Sequence, residues 1–290
     1  MGSLMAANVA RAGFPLTVWT HTPGKAAPWA QDHGAEAVDS PAAVARQSDI
    51  VVSMVVDGAQ VESVLLGPGG VIEGASAGLL CVDMSTIAPA DTRRIGATLR
   101  ERGIGLIDAP VTGSSPRARD ASLTIMTGGT EAEVARARPL LETMGSLIVP
   151  AGELGQGETV KLINNALAAA NAAALAEALV LAGAAEVDLD ALVAVAGAGS
   201  GGSAMLTLKA TPMREHDFTT LFKTDHMLKD VRLCLQVGAA LGVPFPAAEH
   251  AGDMLRDVAQ RGLGDADFAA IIEAAETRGQ SGTNEPLSPD

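Results

Sequence analysis

Tyrosine is absent from this chain and aromatic residues make up only 2% of it. Few side chains are left to stack on unpaired bases. Positive charge is scarce as well, with 20 Lys and Arg against 34 Asp and Glu and a net charge of −14. Affinity for nucleic acid comes chiefly from Lys and Arg neutralising phosphates, so nucleic acid is excluded as the main partner. The two cysteines, Cys81 and Cys234, lie far apart with no CxxC or Cys/His cluster. That excludes a disulfide framework and a zinc site, and it fits a reducing, cytoplasmic setting. The 5 histidines show no HxxxH spacing, and no metal is expected. The longest apolar run, 166–181, is broken by Asn171 and Glu177 and falls short of a membrane span. No membrane partner and no secretory segment is expected.

What is present is 290 residues, 48% of them hydrophobic, a length at which single cores give way to two domains. In the first half, short β-rich runs at 16–19, 49–55, 79–84, 105–108, 123–127 and 147–149 alternate with helical stretches. Most runs are continuously apolar, as strands buried on both faces of a parallel sheet must be. Start signals precede several of the helices: Ser40-Pro41 before 42–47, and Pro89-Ala90-Asp91 before 92–102. The alternation predicts an α/β domain of the Rossmann type, a doubly wound, mostly parallel sheet, over 1–153. From about Gly157 the sequence is Ala- and Leu-rich with helical period, which predicts an all-α domain over 154–277. The last stretch, 278–290, reads as a disordered tail.

Three places carry candidate chemistry. Gly2 heads the opening helix, where free N–H groups and the helix dipole favour a phosphate, although one glycine near a terminus is a weak signal. After the first β run, Thr20, His21, Thr22 and Lys25 stand where a dinucleotide fold meets the adenosine ribose. No acid is present to accept from a 2′-hydroxyl, which leans towards NADP over NAD; a plain polar turn explains the same residues equally well. Lys161 and Asn165, four apart in a predicted helix at the expected domain junction, share a face and could reach one small molecule together. A solvated lysine on an exposed face is the plainer alternative.

The stretch Gly155-x-Gly157-x-x-x-Lys161-x-x-Asn164-Asn165 resembles the catalytic motif of the β-hydroxyacid dehydrogenases, which include 3-hydroxyisobutyrate dehydrogenase and tartronate semialdehyde reductase. Further likenesses follow in order. Met1-Gly2-x-x-Met5-Ala6-x-Asn8 is similar to the end of that family's glycine fingerprint, and Asp83-Met84-Ser85-Thr86-Ile87-x-Pro89 to its nicotinamide segment. Asp108-Ala109-Pro110-Val111-Thr112-Gly113-Ser114 resembles its substrate loop, and Leu228-Lys229-Asp230-Val231 its second lysine segment. The resemblance implies Lys161 as catalytic acid/base and Asn165 as its helper in holding substrate. It implies cofactor contacts at Gly2, Val55, Val56, Gln60, Thr86 and Lys229, and substrate contacts at Ser85, Thr112, Gly113, Ser114 and Lys229. Val55-Val56 replaces the usual Leu-Pro pair and Thr112-Gly113-Ser114 a Ser-Gly-Gly loop, which leaves substrate identity open.

The implied activity is NAD(P)-dependent hydride transfer to or from a small 3-hydroxy acid or its semialdehyde, by a homodimer or homotetramer. Lys161 takes the hydroxyl proton or returns it, a role that burial or a neighbouring charge tunes through its pKa. A reductase of imines or bulkier aldehydes on the same scaffold is an alternative that Lys161 disfavours. A non-catalytic relative is another, because only the last fingerprint glycine, Gly2, is present and the first strand expected before it is not. By that comparison the chain is about ten residues short at its start, and a gap in the sheet, a weakened pyrophosphate site and poor stability are expected.

Overall fold

The computed structural model describes residues 1–281 and divides into two compact units, Met1–Lys161 and Leu162 onward. The N-terminal unit runs α1 (Gly2–Arg11), β1 (Thr17–Val18), α2 (Ala26–His33), β2 (Glu36–Ala37), α3 (Pro41–Arg46), β3 (Ile50–Ser53), α4 (Gly58–Leu66) and α5 (Val71–Gly74). It continues through β4 (Leu80–Asp83), α6 (Pro89–Arg100), β5 (Gly105–Asp108), β6 (Val111–Thr112), α7 (Ser114–Arg119), β7 (Leu123–Gly128), α8 (Glu131–Leu141) and β8 (Gly145–Gly152). The start signals act as expected. Ser40 accepts from Ala43 N ahead of α3, and Pro89 opens α6, its missing N–H being one the helix would not use.

The strands form two sheets where one was expected. β1 and β2 pair in parallel only with each other, while β3, β4 and β5 run parallel in a six-stranded sheet. β7 lies antiparallel to both β5 and β6, and β8 runs parallel to β7, so the larger sheet is mixed. Helices cover both faces, as double winding requires. Leu80, Val82 and Ile107 face Met5 and Val9 of α1 and Val134 and Leu141 of α8. The alternate residues Cys81 and Leu106 face Val61 and Leu65 of α4 and Ile95 and Leu99 of α6. β4 is buried at every position, but β8, which pairs with β7, is not a doubly buried strand: its Leu147 and Val149 are exposed.

The C-terminal unit is all-helical, apart from an isolated bridge between Lys223 and Asp267. Its elements are α9 (Gln156–Ala184), which begins in the N-terminal unit, α10 (Leu189–Ala198), α11 (Ala204–Glu215), α12 (Thr224–Leu241), α13 (Pro246–Val258) and α14 (Ile272–Ser281). A π turn follows α13 and a 3₁₀ turn precedes α14. α9 is continuous through Asn171 and Glu177 and is, by length and composition, apolar enough to cross a membrane. That differs from the expectation of a broken run. Its small residues Ala166, Ala169, Ala173 and Ala176 let α11, α12 and α13 pack against it around Met213, Val231 and Leu255, which makes it the central helix of this core. α14 extends to Ser281, so residues 278–281 of the expected tail are helical and the rest of that tail lies outside the described residues.

Candidate active site

The C-terminal ends of β3 and β4 are stitched together around one carboxyl. Asp83, the last residue of β4, is buried, and its Oδ1 accepts from Ser53 Oγ at 2.8 Å and from Ser85 Oγ at 2.7 Å. Ser85 Oγ in turn accepts from Val55 N at 3.0 Å. The hydroxyl of Ser85, expected to meet substrate, therefore has both functions taken internally, and Ser85 is 1% exposed. What it does is hold the turn carrying Val55 and Val56 beside the segment carrying Thr86. Burial pushes the Asp83 carboxyl up to about 6, against the pull of the two serine hydroxyls, with the Asp108 charge adding to the rise. Val56 N donates weakly to Gln60 Oε1 at 3.4 Å, so Gln60 closes the same turn from the first coil of α4.

At the next strand end, Asp108 caps α9. Its Oδ1 accepts from Gly155 N at 2.7 Å and its Oδ2 from Glu158 N at 2.8 Å. Burial raises the Asp108 pKa, and the N–H groups of Gly155, Glu158 and Gly157 oppose that rise. An added Cβ at Gly157 would lie 2.5 Å from Met126 O and 2.8 Å from Asp108 Oδ2, so this closeness of strand and helix requires a glycine. Lys161 follows one turn later and is 7% exposed; Asn165 is 5% exposed. The solvated-lysine alternative is thereby removed. Lys161 closes the N-terminal unit and Asn165 belongs to the C-terminal one, but on an unbroken helix residues four apart keep one face. Asn165 Nδ2 donates to Asp230 Oδ2 of α12 at 2.6 Å, and Asp230 Oδ1 takes Lys229 Nζ at 2.8 Å.

The other expected residues are placed as follows. Gly2 opens α1, whose N-terminus has no side-chain cap and no acid in its first turn. Those amides and the dipole suit a pyrophosphate, so the residues present fit a dinucleotide. Thr20, His21, Thr22 and Lys25 form the turn after β1, with Thr20 Oγ1 accepting from Thr22 N at 3.4 Å and His21 and Lys25 exposed. Thr112, Gly113 and Ser114 are half-buried at the junction of β6 and α7, with φ of 132° at Gly113 and 56° at Ser114. Asp83, Asp108, Glu158 and Asp230 stand in the quoted motifs without a role. The only signal that could have found them is an acid at the end of an apolar run or inside an otherwise Ala- and Leu-rich helix.

Residues 1–152 match the family described as the NAD-binding domain of 6-phosphogluconate dehydrogenase. Residues 155–275 match the family described as NAD-binding of NADP-dependent 3-hydroxyisobutyrate dehydrogenase. The chain is 36% identical over 276 residues to 2-hydroxy-3-oxopropionate reductase of Escherichia coli K12, covering 95% of this chain and 94% of that one. It is 35% identical to 3-sulfolactaldehyde reductase of the same organism, covering 94% and 92%. Among solved structures, 3-hydroxyisobutyrate dehydrogenase of Mycobacterium tuberculosis with L-serine superposes with a TM-score of 0.86 at 31% identity over 94% of each chain.

Proposed function

The chain belongs to the β-hydroxyacid dehydrogenase family, and from that premise we propose which residues run its reaction and on what. It is an NAD(P)-dependent oxidoreductase of the hydroxyacid and semialdehyde class. The proposed substrate is a small 3-hydroxy acid or the semialdehyde it forms, with Lys161 as general acid/base. The observation that carries this reading is the burial of Lys161 and Asn165 on one face of α9. A lysine withdrawn from water beside a fixed amide is equipped to exchange a proton with a substrate oxygen.

The nicotinamide supplies the hydride to the carbonyl carbon, or receives it in the oxidative direction, when the cofactor is bound. The chain's own residues do the rest. Lys161 Nζ gives a proton to the oxygen as the carbonyl is reduced and removes it as the alcohol is oxidised. Asn165, anchored through Asp230, offers its amide in a fixed place, which is what proximity catalysis needs. Thr112, Gly113 and Ser114 provide hydroxyl and backbone donors for a carboxylate or comparable anion. The Asp83–Ser53–Ser85 clasp holds Val55, Val56 and Thr86 at the strand ends for the cofactor. Thr20, Thr22 and Lys25 favour a 2′-phosphate, hence NADP. A spectrophotometric panel of small semialdehydes and 3-hydroxy acids with NADPH, NADH, NADP and NAD tests this reading. Turnover of an acid-bearing semialdehyde with preference for NADPH is expected; exclusive use of cyclic imines, or no turnover with any acid-bearing aldehyde, contradicts it.

A further inference from the structure

Resting on the proposed roles of the 112–114 loop and of the α1 N-terminus, we infer that Asn8 is a positioning residue for substrate recognition. It fixes Thr112, Gly113 and Ser114 to the helix that meets the cofactor, so that substrate carboxylate and dinucleotide are held in one frame. Asn8 lies in α1 and is 3% exposed. Its Nδ2 donates to Ala118 O of α7, 110 residues away, at 2.8 Å. Its Oδ1 accepts from Nη1 of the exposed Arg11 at 2.7 Å, which sets the amide so that its nitrogen, the end that can donate, is turned to α7.

Ala118 O needs this donor, because the last carbonyls of a helix have no partner within it. α7 ends at Arg119, and Ser122 N, which a longer helix would give to Ala118 O, goes to Arg117 O at 3.0 Å. The Ala118 side chain is fully buried in one cluster with Met5 and Val9 of α1. Residues 5, 8 and 9 share a helical face, so apolar packing and the Asn8 amide hold the same residue of α7 against α1. A further contact lies at the helix starts: Ser115 Oγ, on the second residue of α7, reaches Sδ of Met1, which immediately precedes α1, at 4.0 Å.

The loop needs holding from outside. Ser114 has φ of 56°, a backbone region that persists in an L residue only where its surroundings over-determine it. α7 has six residues and is too short to be stable alone. Loop and helix are packed as one body: a Cβ added at Gly113 would meet Arg117 Cβ and Cδ at 2.7 Å, and Arg117 N donates to Gly113 O at 3.4 Å. A shift of α7 therefore carries the loop with it. Losing the Asn8 donor moves the loop away from a carboxylate but leaves the groups that handle hydride and proton untouched. Such a loss falls equally on ground state and transition state, so it raises KM and spares kcat.

Asn8→Asp keeps the acceptor for Arg11 and removes the donor to Ala118 O, while Asn8→Leu removes both at similar volume. Each variant is assayed with two small aldehydes of equal length, one bearing a carboxylate and one neutral, alongside fluorescence titration of NADPH. For the acid-bearing aldehyde KM is expected to rise about tenfold. Its kcat, the KM of the neutral aldehyde and the affinity for NADPH are expected to stay within about threefold of wild type. An unchanged KM for the acid-bearing aldehyde, or rises of similar size for both aldehydes, overturns the inference; the second is what general loosening of the fold would give. If neither variant folds, Arg11→Leu, which frees Asn8 Oδ1 from an exposed position, decides: the same selective rise supports the inference and its absence overturns it. A wild type that does not favour the acid-bearing aldehyde is a failure of the loop reading instead. Hydrogen exchange of the cofactor-free protein then decides whether Asn8 holds α7. Faster exchange in the folded variant confined to amides 117–120 supports the clasp, and exchange there equal to wild type overturns it.

Discussion

A carboxyl closed off from water must be met by donors or be pushed towards its neutral form. Asp83 shows both. Its Oδ1 collects two serine hydroxyls, and its Oδ2 is buried with no hydrogen-bond partner among the described residues. With the carboxyl raised by burial from 3.8 to about 6, the folded state binds this proton more tightly than the unfolded chain. The stabilisation it represents is complete below about pH 4 and is lost as pH rises through about 6, on the order of 3 kcal/mol. Asp83→Asn is therefore expected to gain stability relative to wild type as pH climbs across that window in denaturant titrations. A wild-type-to-variant difference that does not change between pH 4 and 7 contradicts the assignment. Such residues are where sequence reasoning stops short. The spacing of Lys161 and Asn165 is visible in the sequence as a helical face, but Asp83, Glu158 and Asp230 read there as ordinary polar positions. Their burial is set by strands and helices that are distant in sequence, as in the 65-residue separation of Asn165 and Asp230.

The elements were legible in proportion to their length. Helices with start signals, such as α3 behind Ser40 and α6 behind Pro89, announce themselves by local chemistry. β2 and β6 have two residues each, too few for any periodicity, and they were missed. The antiparallel turn of β7 was invisible for another reason: strand direction depends on the return path of the chain, not on the apolar run itself. α9 matters most for the proposed function, since its first turn is fixed to β5 by Asp108 and its second carries Lys161. Gly157→Ala puts a methyl against Met126 O and Asp108 Oδ2 and is expected to cost ~1–3 kcal/mol with a fall in kcat. Melting curves and rates at saturating substrate check this; wild-type values for both contradict the close packing described.

At the scale of the whole molecule, the chain comprises an α/β unit that carries Gly2 and the strand-end turns at Val55 and Thr86, and a helical unit that carries Asn165, Lys229 and Asp230. Compositional change predicts a boundary after 153, whereas the compact units meet at Lys161, because the first turns of α9 pack on the strand ends of the α/β unit. The pairing of β1 with β2 apart from the larger sheet was not legible for a similar reason: pairing partners are decided by packing. The acidic balance of −14 lies over the whole chain, so an anionic substrate depends on local donors. In the proposed reaction Lys161 is the group that moves the proton. Lys161→Ala, assayed for NADPH oxidation with the best semialdehyde of the panel alongside fluorescence titration of NADPH, tests it most directly. Loss of turnover by at least a hundredfold with cofactor affinity preserved is the predicted result; turnover within a few-fold of wild type contradicts it.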